Sequence, residues 1–138
     1  KIQAWVPGTF YYKEAVRRSL EAMKEGGKFR AVLWHQGEGN LNDDDDTDYD
    51  DYFEKLKSII HQLRKDLKND KLIFIAGELN KDNPKNIRFK SMLARLETEI
   101  SNAGAVKSQG IKPKTVLTLT SKGSKSGEID MHKNLFLL

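Results

Sequence analysis

The run Ala31-Val32-Leu33-Trp34-His35-Gln36-Gly37-Glu38-Gly39-Asn40 constrains this chain more than any other part of it. Three apolar residues and a tryptophan read as a buried strand of a parallel sheet. The strand gives way at once to a turn that carries an imidazole, a carboxamide, a carboxylate and two glycines. In open α/β sheets, ligands bind outside the carboxyl ends of the strands, so these polar groups stand where chemistry is usually done.

The rest of the chain alternates helix with strand. Apolar residues at Tyr12, Ala15, Val16, Leu20 and Met23 predict an amphipathic helix from Phe10 to Lys24, closed by Gly26-Gly27. Phe29 to Trp34 is the first clear strand. Tyr49, Tyr52, Phe53, Leu56, Ile59, Ile60, Leu63 and Leu67 give the strongest helical periodicity, over Tyr49 to Leu67. The aspartates at its start suit the positive end of the helix dipole. Leu72 to Gly77 reads as a second buried strand, and Asn83-Pro84 as a break. Phe89, Met92, Leu93, Leu96 and Ile100 mark a third helix. Short strands are expected at Ala105-Val106 and Val116 to Thr120. Such alternation implies one α/β domain over 1–138, with a mostly parallel sheet covered on both faces. Ala31–Trp34 and Leu72–Ala76 are expected to be parallel neighbours in it.

Charge and composition narrow the function classes. At 138 residues and 15.8 kDa the chain makes one domain. It has no cysteine, hence neither disulfides nor a thiol nucleophile. No apolar stretch approaches the ~18 residues of a membrane span, and Lys1-Ile2-Gln3-Ala4-Trp5 lacks the apolar core of a signal peptide. The net charge of +4 is sorted, with seven aspartates between Asp43 and Asp51 and a lysine-rich tail from Lys107 to Lys133. The tail has few aromatics for stacking bases and no arginine fork, so it reads as a solvated surface rather than a nucleic-acid site. Asp44, Asp46 and Asp48 have alternate spacing, but an EF-hand also wants Gly and Glu where Tyr49 and Lys55 stand. A solvated acidic loop is expected there, with no metal and no cofactor. Neither a phosphate loop nor a dinucleotide fingerprint occurs.

The block Trp34-His35-Gln36-Gly37-Glu38 resembles the Trp-His-Gln-Gly-Glu-Ser-Asn/Asp block of SGNH-type carbohydrate esterases, the sialate O-acetylesterase and acetylxylan-esterase-like branch. Gly39 stands where that family usually has Ser. Lys1-Ile2, Trp5, Gly8 and Val16-Arg17-Arg18 are similar to the family's segment before the block. Leu63-Arg64-Lys65-Asp66-Leu67 and the strand after it are similar to the family's segment beyond the block. The likeness runs from about Lys1 to Gly110. It implies a three-layer α/β/α domain of flavodoxin-like SGNH type and an acylated carbohydrate or small ester as substrate, with no nucleic-acid or membrane partner. It also implies a serine nucleophile from a Gly-Gln-Ser-Asn block, a C-terminal Asp-x-x-His block and an oxyanion hole. A serine hydroxyl is a weak nucleophile and needs an adjacent histidine oriented by a carboxylate.

No Gly-Gln-Ser-Asn block occurs in the 138 residues. The chain is therefore expected to be part of such a domain, incomplete at its N-terminus, with the nucleophile outside this sequence. A sheet position would then stand open, filled by further residues, rearrangement or self-association. Glu128-Ile129-Asp130-Met131-His132 is the candidate for the terminal block, with His132 as base and Asp130 as its orienting partner, one residue closer than the family spacing. Gln36 and Gly37 are the candidate oxyanion donors, and they should share a groove with His132. Glu38 either takes part in the site or holds the loop by accepting backbone N–H groups. His35 lines a pocket or packs on Trp34. His61, between Ile60 and Gln62, is expected to be structural. Two functions are compatible with these residues: a carbohydrate O-acetyl ester hydrolase working through an acyl-enzyme, or a non-catalytic binding module that keeps the groove without the chemistry. A Gly-Gln-Ser-Asn block in the same gene product would decide for the enzyme.

Overall fold

The computed structural model describes residues 1–41, 48–79, 84–107 and 135–137. A short 3-10 helix, Ile2–Trp5, precedes α1 (Phe10–Lys24), β1 (Ala31–Trp34), α2 (Glu38–Leu41), α3 (Tyr49–Asp66), β2 (Ile73–Gly77), α4 (Pro84–Glu99), β3 (Ala103–Val106) and β4 (Leu135–Leu137). The four strands form one parallel sheet in the order β3-β2-β1-β4. Ala31 pairs with Ile73 and Trp34 with Ala76, so the two expected strands are parallel neighbours. β4 lies along the other edge of β1, with Leu135 opposite Ala31 and Leu137 opposite Leu33.

Local chemistry explains the helices. The Asp48 carboxylate caps α3, accepting from the N–H groups of Asp50 and Asp51, each at 3.0 Å. Asp50 and Asp51 then sit in the first turn, and Arg64 and Lys65 in the last, matching the helix dipole. At the end of α1 the Gly27 N–H reaches back to the Ala22 carbonyl at 2.9 Å. α4 begins one turn earlier than its apolar residues suggest. Pro84 is its first residue, where a missing N–H costs nothing.

The core lies on one face of the sheet. Val32 and Trp34 point to it, as do their partners Phe74 and Ala76, and all four are buried. Tyr12 of α1, the Tyr52-to-Leu63 stripe of α3 and the Phe89-to-Leu96 stripe of α4 join them in a single cluster. Ile2 is fully buried in the same cluster, and Trp5 stands edge-on to Trp34 at 5.9 Å. The Tyr12 hydroxyl donates to Asp66 at 2.6 Å and ties α1 to α3. The architecture is the expected α/β class with a parallel sheet. Among the described residues the helices feed this one cluster, while Ile73 is 46% and Val106 56% exposed. Val116 to Thr120, read as a strand, and most of the aspartate run, Asp43 to Asp46, lie outside the described residues.

Candidate active site

The polar block emerges at the carboxyl end of β1. His35, Gln36 and Gly37 make the turn and Glu38 opens α2. Gly37 has φ of +146°, a conformation side chains rarely adopt. A Cβ there would lie 2.5 Å from Phe89 Cζ and 3.2 Å from Leu79 Cδ1. Both neighbours are buried in the core, so this position admits glycine alone. The Gly37 carbonyl accepts from the N–H groups of Asn40 and Leu41, both at 3.0 Å, and starts α2.

Gln36 is held from two sides. The Tyr52 hydroxyl lies 2.9 Å from both the backbone oxygen and Oε1 of Gln36, and its single proton serves the two. The same hydroxyl accepts from Trp34 Nε1 at 3.4 Å. Burial pushes the Tyr52 phenol well above its ordinary range, so it stays a donor. On the nitrogen side, Gln36 Nε2 lies 3.5 Å from Asn40 Oδ1, a long contact. Asn40 is itself buried and accepts from the Ile2 N–H at 3.0 Å, which ties the start of the chain to this loop. The second N–H of the Gln36 amide and the Gly37 N–H have no acceptor among the described residues.

His35 stands over Gly77 of β2, where an added Cβ would come within 2.9 Å of its Cδ2. It does not lie enclosed. Its side chain is 56% exposed, with Nδ1 3.9 Å from Glu38 Oε1. That distance suits an ion pair only when the imidazole is protonated. Glu78, at the end of β2, lies near Lys90 at 3.6 Å and adds a second carboxylate to this edge of the sheet.

The structure thus brings together Gln36, Gly37, Glu38 and His35. Asp130 and His132 lie outside the described residues. Sequence reasoning missed Tyr52, Asn40, Gly77 and Phe89, which hold the loop. Tyr52 was legible only as a core position, and the signal was its hydroxyl in an otherwise apolar stripe. His61 is exposed rather than packed in the core, because it falls between the inward positions Ile59, Ile60 and Leu63.

The chain belongs to the family of carbohydrate esterases described as sialic acid-specific acetylesterases, whose family model matches residues 1–128. The match runs past the expected limit near Gly110 and ends before Asp130 and His132. Over 66 residues the chain is 38% identical to a probable carbohydrate esterase of Arabidopsis thaliana, covering 48% of this chain and 25% of that protein. The crystal structure of an Arabidopsis thaliana protein from the same locus superposes with a TM-score of 0.70 at 29% identity. That superposition covers 83% of this chain and 46% of the other, so the chain spans less than half the length of these relatives.

Proposed function

We propose that this chain supplies the oxyanion side of a carbohydrate O-acetyl ester hydrolase that works through a serine acyl-enzyme. The observation that carries the reading is the Trp34-to-Glu38 block at the carboxyl end of β1 in a chain that belongs to this family. In the proposed reaction the serine hydroxyl attacks the acetyl carbonyl while a histidine takes its proton, and the ester C–O bond then breaks as the histidine returns that proton to the departing sugar oxygen. Gln36 Nε2 and the Gly37 N–H stabilise the oxyanion. The acyl-enzyme is then hydrolysed by water activated by the same histidine. Tyr52 and Asn40 support the assignment by holding the Gln36 amide before substrate arrives, which is what a preset donor requires.

The nucleophile is proposed to come from residues other than 1–138, none of which forms the Gly-Gln-Ser-Asn block. His132 is the proposed base and Asp130 its partner. The register of β4 constrains this part. Leu135 stands opposite Ala31, three residues reach at most ~10 Å, and Gln36 lies about 16 Å along the strand direction from Ala31. His132 therefore serves the Gln36 loop only when 135–137 leave β1.

The test is hydrolysis of an aryl acetate and of acetylated sugars by the intact gene product. Gln36→Ala should lower kcat by roughly ten- to a thousandfold, and His132→Ala should nearly abolish turnover. Full activity in His132→Ala removes the terminal assignment and leaves the Gln36 loop standing. Full activity in Gln36→Ala removes the oxyanion role. The second reading is a binding module of the same fold. It is favoured by the Gln36 side chain being tied to Tyr52 and Asn40 as a turn-holding amide would be, and it expects no hydrolysis by the intact product.

A further inference from the structure

The amino edge of the sheet, opposite the Gln36 loop, carries a second concentration of polar side chains. An open cavity of 610 Å³ is lined by His61, Arg64, Lys65, Lys68, Asn69, Asp70 and Ser101. His61, Arg64 and Lys65 have the three- and four-residue spacing that puts them on one side of the end of α3, and Lys68 follows just beyond its C-cap Leu67. We propose that this cavity binds a tetrahedral dianion, phosphate or sulfate, free or carried as the monoester of a small hydroxylated molecule.

Arg64 is the fixed element. It is only 8% exposed, and its Nε and Nη2 donate to the carbonyls of Leu72 at 3.1 and 2.9 Å, Ser101 at 2.7 Å and Asn102 at 3.2 Å. Those bonds lock the guanidinium plane. They leave the two Nη1 protons without a partner among the described residues, on a group that lines the cavity. A buried arginine held this way presents a preset pair of donors, which suits an oxyanion. Lys65 and Lys68 have no carboxylate within 4 Å among the described residues.

Helix-dipole complementation accounts for part of this charge, since the end of α3 is worth about half a negative charge. Three cations against the single carboxylate Asp70 exceed that need. The hydroxyl of Ser101 and the amide of Asn69 add neutral donors. Asp70 would repel a bare anion but accept from a hydroxyl of an attached organic group. The cavity is also several times larger than one tetrahedral ion, so a monoester fits its composition better than the free ion.

The experiment titrates the whole chain with inorganic phosphate, inorganic sulfate and glucose 6-phosphate at constant ionic strength, following amide shifts by 1H–15N NMR. Saturable shifts confined to residues around 61–72 and 101–102 are expected, with glucose 6-phosphate the tightest. Equal affinity for phosphate and the sugar ester would assign the free ion. Lys65→Gln/Lys68→Gln should weaken binding by roughly tenfold or more, because two charge-assisted contacts are lost. Lys55→Gln/Lys57→Gln, which removes the same charge from the middle of α3, two to three turns from the cavity, should change it less than about twofold. Shifts that never saturate, or equal weakening in both double variants, would mean diffuse attraction to a basic surface and overturn the proposal.

Discussion

Replacing Gly37 by alanine tests whether the loop after β1 is shaped by its packing. The structure imposes two separate costs. The first is the backbone, since φ of +146° lies in a region open to glycine and costs a side-chain residue about 1–3 kcal/mol. The second is overlap. The new methyl would stand 2.5 Å from Phe89 Cζ and 3.2 Å from Leu79 Cδ1. Phe89 has little room to retreat, packed edge-on against Tyr52 at 5.2 Å and Tyr49 at 6.4 Å. Forcing a methyl group into such a core costs about 1–3 kcal/mol. Together they predict a loss of roughly 2–6 kcal/mol, a large share of the stability of an ordinary domain. Equilibrium urea unfolding followed by tryptophan fluorescence measures it, because Trp34 is in the core beneath the loop. Adding Phe89→Leu in the Gly37→Ala background should return the overlap part and leave the backbone part. The double-mutant cycle should then show a coupling of about 1 kcal/mol or more. A loss below about 0.5 kcal/mol in Gly37→Ala would refute both terms.

Tyr52→Phe should cost about 1–3 kcal/mol in the same unfolding assay, because Gln36 and the Trp34 indole lose a shared buried partner. Gly39→Ser should be neutral or stabilising by up to about 1 kcal/mol; an added Cβ there meets only Lys1 at an ordinary 3.6 Å, and serine is the residue the family usually carries. Burial holds the Tyr12 and Tyr52 phenols far above their ordinary range, with the Asp66 hydrogen bond reinforcing Tyr12. A raised folded-state pKa gives stability that is complete below the unfolded value of about 10 and is lost as pH rises beyond it. The urea midpoint should therefore fall between about pH 10 and 11, and fall less steeply in Tyr52→Phe.

Where the fold was legible, a period carried the message. Phe10–Lys24 coincides with α1, and the strand expected over Phe29–Trp34 is β1 from Ala31 onward. The apolar stripe from Tyr52 to Leu63 is the buried face of α3. Errors fell where two signals compete. Asn83-Pro84 reads as a break, yet Pro84 opens α4, because a proline that ends one segment is equally suited to begin the next. The turns at Ile2–Trp5 and Glu38–Leu41 are too short for any period to register. Ile2 is fully buried all the same, through contacts nearly forty residues away, such as its N–H to Asn40.

The site was legible as composition and illegible as support. The His35-to-Glu38 cluster is visible in the sequence because polar groups succeed an apolar strand without a gap. Its fixing by Tyr52 and Asn40 depends on a helix face that hydrophobicity counts only as core. That difference bears on how Gln36 is read. A half-buried amide that merely caps a turn can leave an N–H to water, so its partners alone do not separate the two readings. Here the oxygen has a close donor at 2.9 Å, while the nitrogen has only one long contact at 3.5 Å and a second proton with no acceptor among the described residues. The side chain is anchored through its acceptor and left with donor capacity. A donor held this way can meet developing negative charge without first being reorganised. Tyr52→Phe therefore separates the two readings in the intact gene product. Loss of the anchor should lower kcat for an aryl acetate several-fold beyond any fall in the folded fraction if Gln36 meets the oxyanion. If Gln36 only holds the turn, the variant should lose stability alone.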